Sequence, residues 1–250
     1  MTAPIIPGAE PFAHAGSTSG VLVLHGFTGN PQSLRPLAEA VATDGYTVEL
    51  PLLPGHGTAV EDLLPIRWKD WSGVAESAYT MLAAGCDEVA VVALSMGGTL
   101  ACWLAEHHPE IRGLALVNPF IDPPSQNFRD VLRGVLESGT EVAPGVGSDI
   151  ARPGVAELAY PGTPIAAALS FFEGIDVVAA ALDRIACPVL LLSSRNDHVV
   201  PSSSGDVLVA GVAGPIERVW LENSYHVATL DNDAEEITGR VLTFLGDVLP

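Results

Sequence analysis

The chain has 250 residues and 48% hydrophobic composition, enough for one large core, and a formal net charge of −19 from 11 Lys+Arg against 30 Asp+Glu. A surface this acidic repels phosphate backbones and anionic lipid, which sets aside nucleic-acid and lipid-headgroup binding, and it suits a neutral small-molecule substrate; no stable membrane insertion is expected. The three cysteines, Cys86, Cys102 and Cys187, form no CxxC pair, so neither a disulfide framework nor a zinc ribbon is expected.

Met1 to Gly16 carries no Lys or Arg and no apolar run, so no secretory signal is read there, and a cytoplasmic protein is expected. Gly20 to Leu24 then reads as a buried strand ending at His25-Gly26. Leu34, Leu37, Ala38 and Val41 recur at helical spacing, and Pro36 places the start of that helix near Ser33 to Arg35. Tyr46 to Leu50 reads as a strand, Leu52 to Thr58 as a Pro- and Gly-rich loop, and Trp68 to Ala84 as a helix. The stretch Val89 to Ala105 has 17 uncharged residues, just short of a membrane span, but its β-branched start and its glycines predict a buried strand turning into a buried helix. The spacing predicts a strand over Glu88 to Leu94, a helix over Gly97 to His107 and a strand over Gly113 to Val117. Strand and helix alternate throughout this half, which predicts an α/β fold with a mostly parallel twisted sheet and helices on both faces.

From Pro119 the pattern changes. Residues 119–175 are dense in Pro and Gly, show no clear strand and carry only weak helical stretches around Phe128 to Leu136 and Ile165 to Phe172. They read as a small cap inserted between core segments 1–118 and 176–250. The alternation resumes with a helix at Ile175 to Ile185, a strand at Val189 to Ser193, a helix after Pro201 and a strand at Glu217 to Leu221. In the last helix Asp233 is the expected N-cap with Glu236 three residues on, and Ile237, Val241, Phe244, Leu245 and Val248 form its core stripe.

The strongest chemical signal is Ala93-Leu94-Ser95-Met96-Gly97, set between a strand and a helix. That is the setting of a nucleophile elbow, a turn too sharp for bulky residues two before and two after the serine. Gly97 meets the need, and Ala93 exceeds it by one methyl group. A serine hydroxyl needs a base, and the four histidines downstream are His107, His108, His198 and His226. His107 and His108 end the elbow helix, where a structural role is expected. His226 lies in a polar loop between a strand and the last helix, where a base belongs. Asp197, in the loop after the Val189 to Ser193 strand, is the acid chosen to orient it, ahead of Asp122, Asp231 and Asp233. The oxyanion donors are taken to be the backbone N–H groups of Met96 and Phe27, with His25 bracing the loop. No Walker A, GxGxxG or HExxH pattern occurs, so no nucleotide, other cofactor or metal is expected.

Taken together, HGFTGNP, LPGHGT, LSMGGTLA, ELAY, DHVVP and NSYHVATLD resemble the bacterial monoacylglycerol lipases and related thermostable carboxylesterases, from about Gly20 to the C-terminus. The resemblance implies an α/β-hydrolase core with a small cap, the triad Ser95, Asp197 and His226, and an oxyanion hole from Phe27 and Met96. It also implies substrate contacts at Glu157, matching a cap glutamate that helps hold glycerol, and at Val146. The implied activity is hydrolysis of carboxylic esters through an acyl-enzyme, foremost of monoacylglycerols, by a monomer or homodimer. A general carboxylesterase is the near alternative. Thioesterases, C–C hydrolases and peroxidases share the fold, and a non-catalytic binding module is disfavoured by the intact triad.

Overall fold

The computed structural model describes residues 3–145 and 147–249. In chain order the elements are strands β1 (Phe12–His14) and β2 (Ser19–Leu24), helix α1 (Arg35–Thr43), β3 (Thr47–Leu50), a short α2 (Val60–Leu63), α3 (Trp68–Gly85), β4 (Glu88–Leu94), α4 (Met96–His107) and β5 (Leu114–Val117). Then come α5 (Gln126–Glu137), β6 (Val142–Pro144), β7 (Gly162–Pro164), α6 (Ile165–Ala179), β8 (Val189–Ser194), α7 (Ser203–Gly211), β9 (Ile216–Leu221) and α8 (Ala234–Val248).

Seven strands form one sheet in the order β1-β3-β2-β4-β5-β8-β9. All neighbours run parallel except β1, which pairs antiparallel with β3 at the edge. Side chains of a strand alternate between faces, and here both faces are apolar. Leu22, Leu24, Val91, Ala93, Leu116 and Leu191 join α3, α4 and α6 in one core. Val21, Val23, Val92, Ala115, Val117 and Leu192 join α1 and α8 in the other. The continuous hydrophobic runs of the central strands follow from this double burial.

Several details depart from the sequence expectations. The Ile165 and Ile175 helical stretches are one helix, α6, crossing the expected cap boundary at 175, with a single 3₁₀ turn at Leu182–Arg184 in place of its continuation. Its Ile165, Ala168, Phe171 and Ile175 are buried, so packing against the sheet-side helices carries it through. The segment expected to lack strands contains the β6–β7 antiparallel pair. Asp233 does start α8, but its carboxylate caps no helix N–H. It accepts instead from the Asn223 N–H and side-chain amide, each at 2.9 Å.

Candidate active site

Parallel sheets place their sites beyond the carboxyl ends of the strands. Ser95 follows β4, the 25–29 loop follows β2, Asn118 follows β5, Asp197 follows β8 and His226 follows β9. The sheet order sets β2, β4, β5, β8 and β9 side by side in an unbroken run, so residues about 200 positions apart in the chain come to one end of the sheet.

Ser95 is held at φ 56°, a conformation uncommon for any residue but glycine. The turn is enforced by contact: a Cβ on Gly97 would lie 2.0 Å from the Leu24 carbonyl oxygen. Ala93, by contrast, is a fully buried strand residue facing Leu24 and Leu116, and its methyl group is accommodated in the core. Ser95 O is tied to Phe120 N–H at 3.3 Å, and Thr99 Oγ1 donates to Phe120 O at 2.7 Å, which fixes Phe120 beside the serine.

His226 is buried, and its Nδ1–H donates to Asp197 Oδ2 at 2.8 Å. A carboxylate only accepts, so Nε2 is left as the lone-pair nitrogen. The other oxygen, Asp197 Oδ1, accepts the N–H groups of Val199 and Val200, each at 2.8 Å, and so fixes the carboxylate. Ser95 and His226 open on the same cavity. Among the described residues no hydrogen bond joins Ser95 Oγ to His226 Nε2, and such bonds commonly tighten only when substrate is bound.

The competing acids and bases are engaged elsewhere. Asp231, fully buried, accepts from the N–H groups of Ala151, Arg152 and Tyr225. Asp122 accepts the Ser203 hydroxyl, His108 pairs with Glu76 and Glu110, and His107 Nδ1 meets Trp103 O.

The backbone N–H groups of Phe27 and Met96 are taken up by no acceptor among the described residues, and Met96 opens α4, where the first N–H groups lack helical partners. His25 braces the Phe27 loop: its Nδ1–H donates to Gly26 O at 3.0 Å, and its Nε2 accepts Leu53 N–H at 3.1 Å. Burial lowers the His25 pKa to about 4, so it stays neutral at pH 7 and keeps both bonds. Its neighbour His56 is lowered to about 3 by burial and by His25.

The cavity holds about 220 Å³ and is walled by Phe27, Phe120, Phe128, Phe171, Phe172, Val199 and Val227, with Glu157 the one carboxylate among the described residues that line it. The Glu157 segment is fastened to the chain that follows β2. Asn30 Nδ2 donates to Leu158 O, Leu158 N–H donates to Gln32 Oε1, and Tyr160 N–H donates to Thr28 O. Burial of the Glu157 carboxyl raises its pKa to about 7, against the opposing pull of His226 and the Ser33 hydroxyl. Val146, the other expected cap contact, lies outside the described residues.

Two residues of the site escaped the sequence reading. Gly29 makes room for Glu157, because a Cβ there would sit 2.5 Å from Glu157 Oε1. Asn118, at φ 44°, donates from Nδ2 to Ser194 Oγ at 2.9 Å and to His226 O at 2.8 Å, and its Oδ1 accepts Ser194 N–H at 2.7 Å. An asparagine between a buried strand and a proline is the signal for the second, since Asn tolerates the left-handed region.

Among the described residues no helix is long and apolar enough to cross a membrane, and no group of three or more His, Cys, Asp or Glu side chains is placed to hold a metal ion.

Residues 21–238 match the model of the alpha/beta hydrolase family. The chain is 45% identical over 244 residues, covering 96% of each chain, to a thermostable monoacylglycerol lipase of Bacillus sp. strain H-257. It is 28% identical to a carboxylesterase of Bacillus subtilis strain 168 over 94% of this chain and 96% of that one. Among solved structures it is similar to a metagenome-derived lipolytic enzyme, with 43% identity, a TM-score of 0.93, and coverage of 98% of this chain and 100% of that one.

Proposed function

The chain belongs to the alpha/beta hydrolase family, and from that premise we propose that it hydrolyses carboxylic esters, with monoacylglycerols as the preferred class. One observation carries the reading: Ser95, on a strained turn, and His226, bonded through Nδ1 to Asp197, open on a single apolar cavity.

His226 Nε2 takes the Ser95 hydroxyl proton as the oxygen attacks the ester carbonyl. The oxyanion that forms is met by the free N–H groups of Phe27 and Met96, each worth roughly 3–4 kcal/mol to the transition state. Asp197 holds the imidazole in the required tautomer and stabilises its cation. His226 returns the proton to the leaving alcohol and then activates water to release the acid from Ser95.

Substrate class follows from the lining of the cavity. Its phenylalanine walls suit an acyl chain, while Glu157 accepts hydrogen bonds from free hydroxyl groups. The 45% identical relative is named for the same class of ester. Residues 119–175, which we read as the cap, contribute Phe120, Phe128, Gly147, Glu157, Thr163 and Phe171 to the lining. The unpaired thiols of Cys86, Cys102 and Cys187 fit a reducing, cytoplasmic setting.

The test is a substrate panel comparing monoacylglycerols with simple alkyl esters, di- and triacylglycerols and a thioester, with Ser95→Ala as control. Highest kcat/KM on monoacylglycerols, abolished in the variant, supports the reading. A thioester turned over fastest, or a fully active variant, overturns it.

A further inference from the structure

The main chain of His226 is held from two sides. Asn118 takes its carbonyl from the sheet side. On the cap side its N–H donates to Asp149 Oδ2 at 3.0 Å. The same Oδ2 accepts His198 N–H at 3.1 Å, while Oδ1 accepts the His198 Nδ1–H at 2.8 Å. Asp149 O further accepts Val227 N–H at 3.1 Å. The Asp149 side chain is only 11% exposed.

We propose that Asp149 is a positioning residue, whose carboxylate locks the loop of the base to the loop of the acid and so sets where the His226 imidazole stands over Ser95. The inference rests on the reading of His226 as the base. His198 follows Asp197 directly, so one cap side chain grips both halves of the Asp197–His226 pair. Hydrogen bonds to an ionised acceptor are roughly twice as strong as neutral ones, and three donors on one carboxylate leave it little freedom. The neighbouring Asp231 fastens the flanking residues: it takes Tyr225 N–H on the base loop, and Ala151 and Arg152 N–H on the cap. The cap segment continues to Glu157, whose N–H donates to Ser148 Oγ at 2.9 Å. The segment that presents Glu157 to substrate is therefore the one that positions the base.

The role differs from that of a mere cap anchor in what it moves. An anchor alters stability or KM. A positioning residue alters the chemical step, and a displacement near 1 Å can cost about 10²-fold in rate. Asp149→Ala should lower kcat for a p-nitrophenyl ester by about 10- to 100-fold, with KM within about threefold of the original. The downfield proton resonance of the His226–Asp197 bond should shift or broaden. Asp149→Asn keeps a carbonyl oxygen for the two backbone donors and loses the charge, so a drop of about threefold is expected, with a smaller shift of the same resonance. This variant carries the test if the alanine variant does not fold. Unchanged kcat and an unchanged resonance in the folded variants would overturn the proposal, as would an effect on KM or Tm alone. His226→Ala measured in parallel separates the two claims. If it is inactive while the Asp149 variants are normal, only the positioning role fails. If it stays active, the base assignment fails and takes this inference with it.

Discussion

Gly29→Ala probes the proposed contact of Glu157 with glycerol hydroxyls without touching Ser95, Asp197 or His226. The added Cβ would stand 2.5 Å from Glu157 Oε1, 3.3 Å from Glu157 Cδ and 3.7 Å from Gly26 O. An ordinary contact begins near 3.4 Å, so the carboxylate oxygen must withdraw by about 0.9 Å. The obstructing group is the end of a flexible side chain, which can rotate away cheaply, and Gly29 does not occupy the left-handed region. The fold should persist, even gaining about 0.4–1 kcal/mol from the stiffer unfolded chain. A hydrogen bond to a charged group is worth roughly 1.5–3 kcal/mol, so its loss should lower kcat/KM for a monoacylglycerol by about 10- to 100-fold. A p-nitrophenyl ester, which has no glycerol hydroxyls, should be hydrolysed within about twofold of the parent rate. Steady-state kinetics on both esters, repeated in a Glu157→Ala background, completes a double-mutant cycle. If Gly29 acts through Glu157, its effect disappears in that background. Equal losses on both esters, or an undiminished loss without Glu157, would refute the reasoning.

Three further outcomes follow from the same geometry. Gly97→Ala drives a methyl group to 2.0 Å from the Leu24 carbonyl oxygen, a backbone atom that cannot yield, and should cost more than about 4 kcal/mol, seen as lost soluble protein or a collapsed Tm. Glu157, raised to about 7, is neutral below that pH and ionised above it. The preference for monoacylglycerol over a simple ester should therefore rise with pH through about 7, and Glu157→Gln should flatten that rise in a pH series of kcat/KM. Glu106 on α4 has a buried Oε1 without a hydrogen-bond partner among the described residues and a pKa raised to about 8, chiefly by burial, with Arg184 opposing and Asp183 adding to the shift. A carboxyl raised on folding loses stability as pH climbs from its unfolded value through its folded one. Glu106→Gln should thus gain on the parent between pH 5 and pH 8, on the order of 3 kcal/mol, in thermal melts at the two pH values.

What could be read from the sequence divides along physical lines. The β4–α4 elbow was legible because its rule is local: a buried run, a serine and a glycine where no Cβ fits. That Asp197 and His226 would come together was legible because parallel alternation sends each loop to the same end of the sheet. The edge strand β1 was not, since three short, partly exposed residues acquire strand geometry only by pairing with β3, some 35 positions on. The run from Ile165 to Ala179 reads as a weak helical stretch followed by a separate helix from Ile175, because its continuity depends on burial of Phe171 and Ile175 against α3 and α4. Asp233 carried a capping pattern that Asn223 outcompeted. Gly29 and Asp149 left no trace in spacing, because their partners Glu157 and His226 lie 128 and 77 residues away.

The most direct measurement is covalent labelling with a fluorophosphonate, followed by mass spectrometry of the digested chain and assay of residual esterase activity. One label per chain on the peptide containing Ser95, activity lost in step with it, and almost no labelling of His226→Ala are the results predicted. A fully labelled chain that still cleaves esters, or a label carried by another residue while Ser95 remains free, would contradict the account.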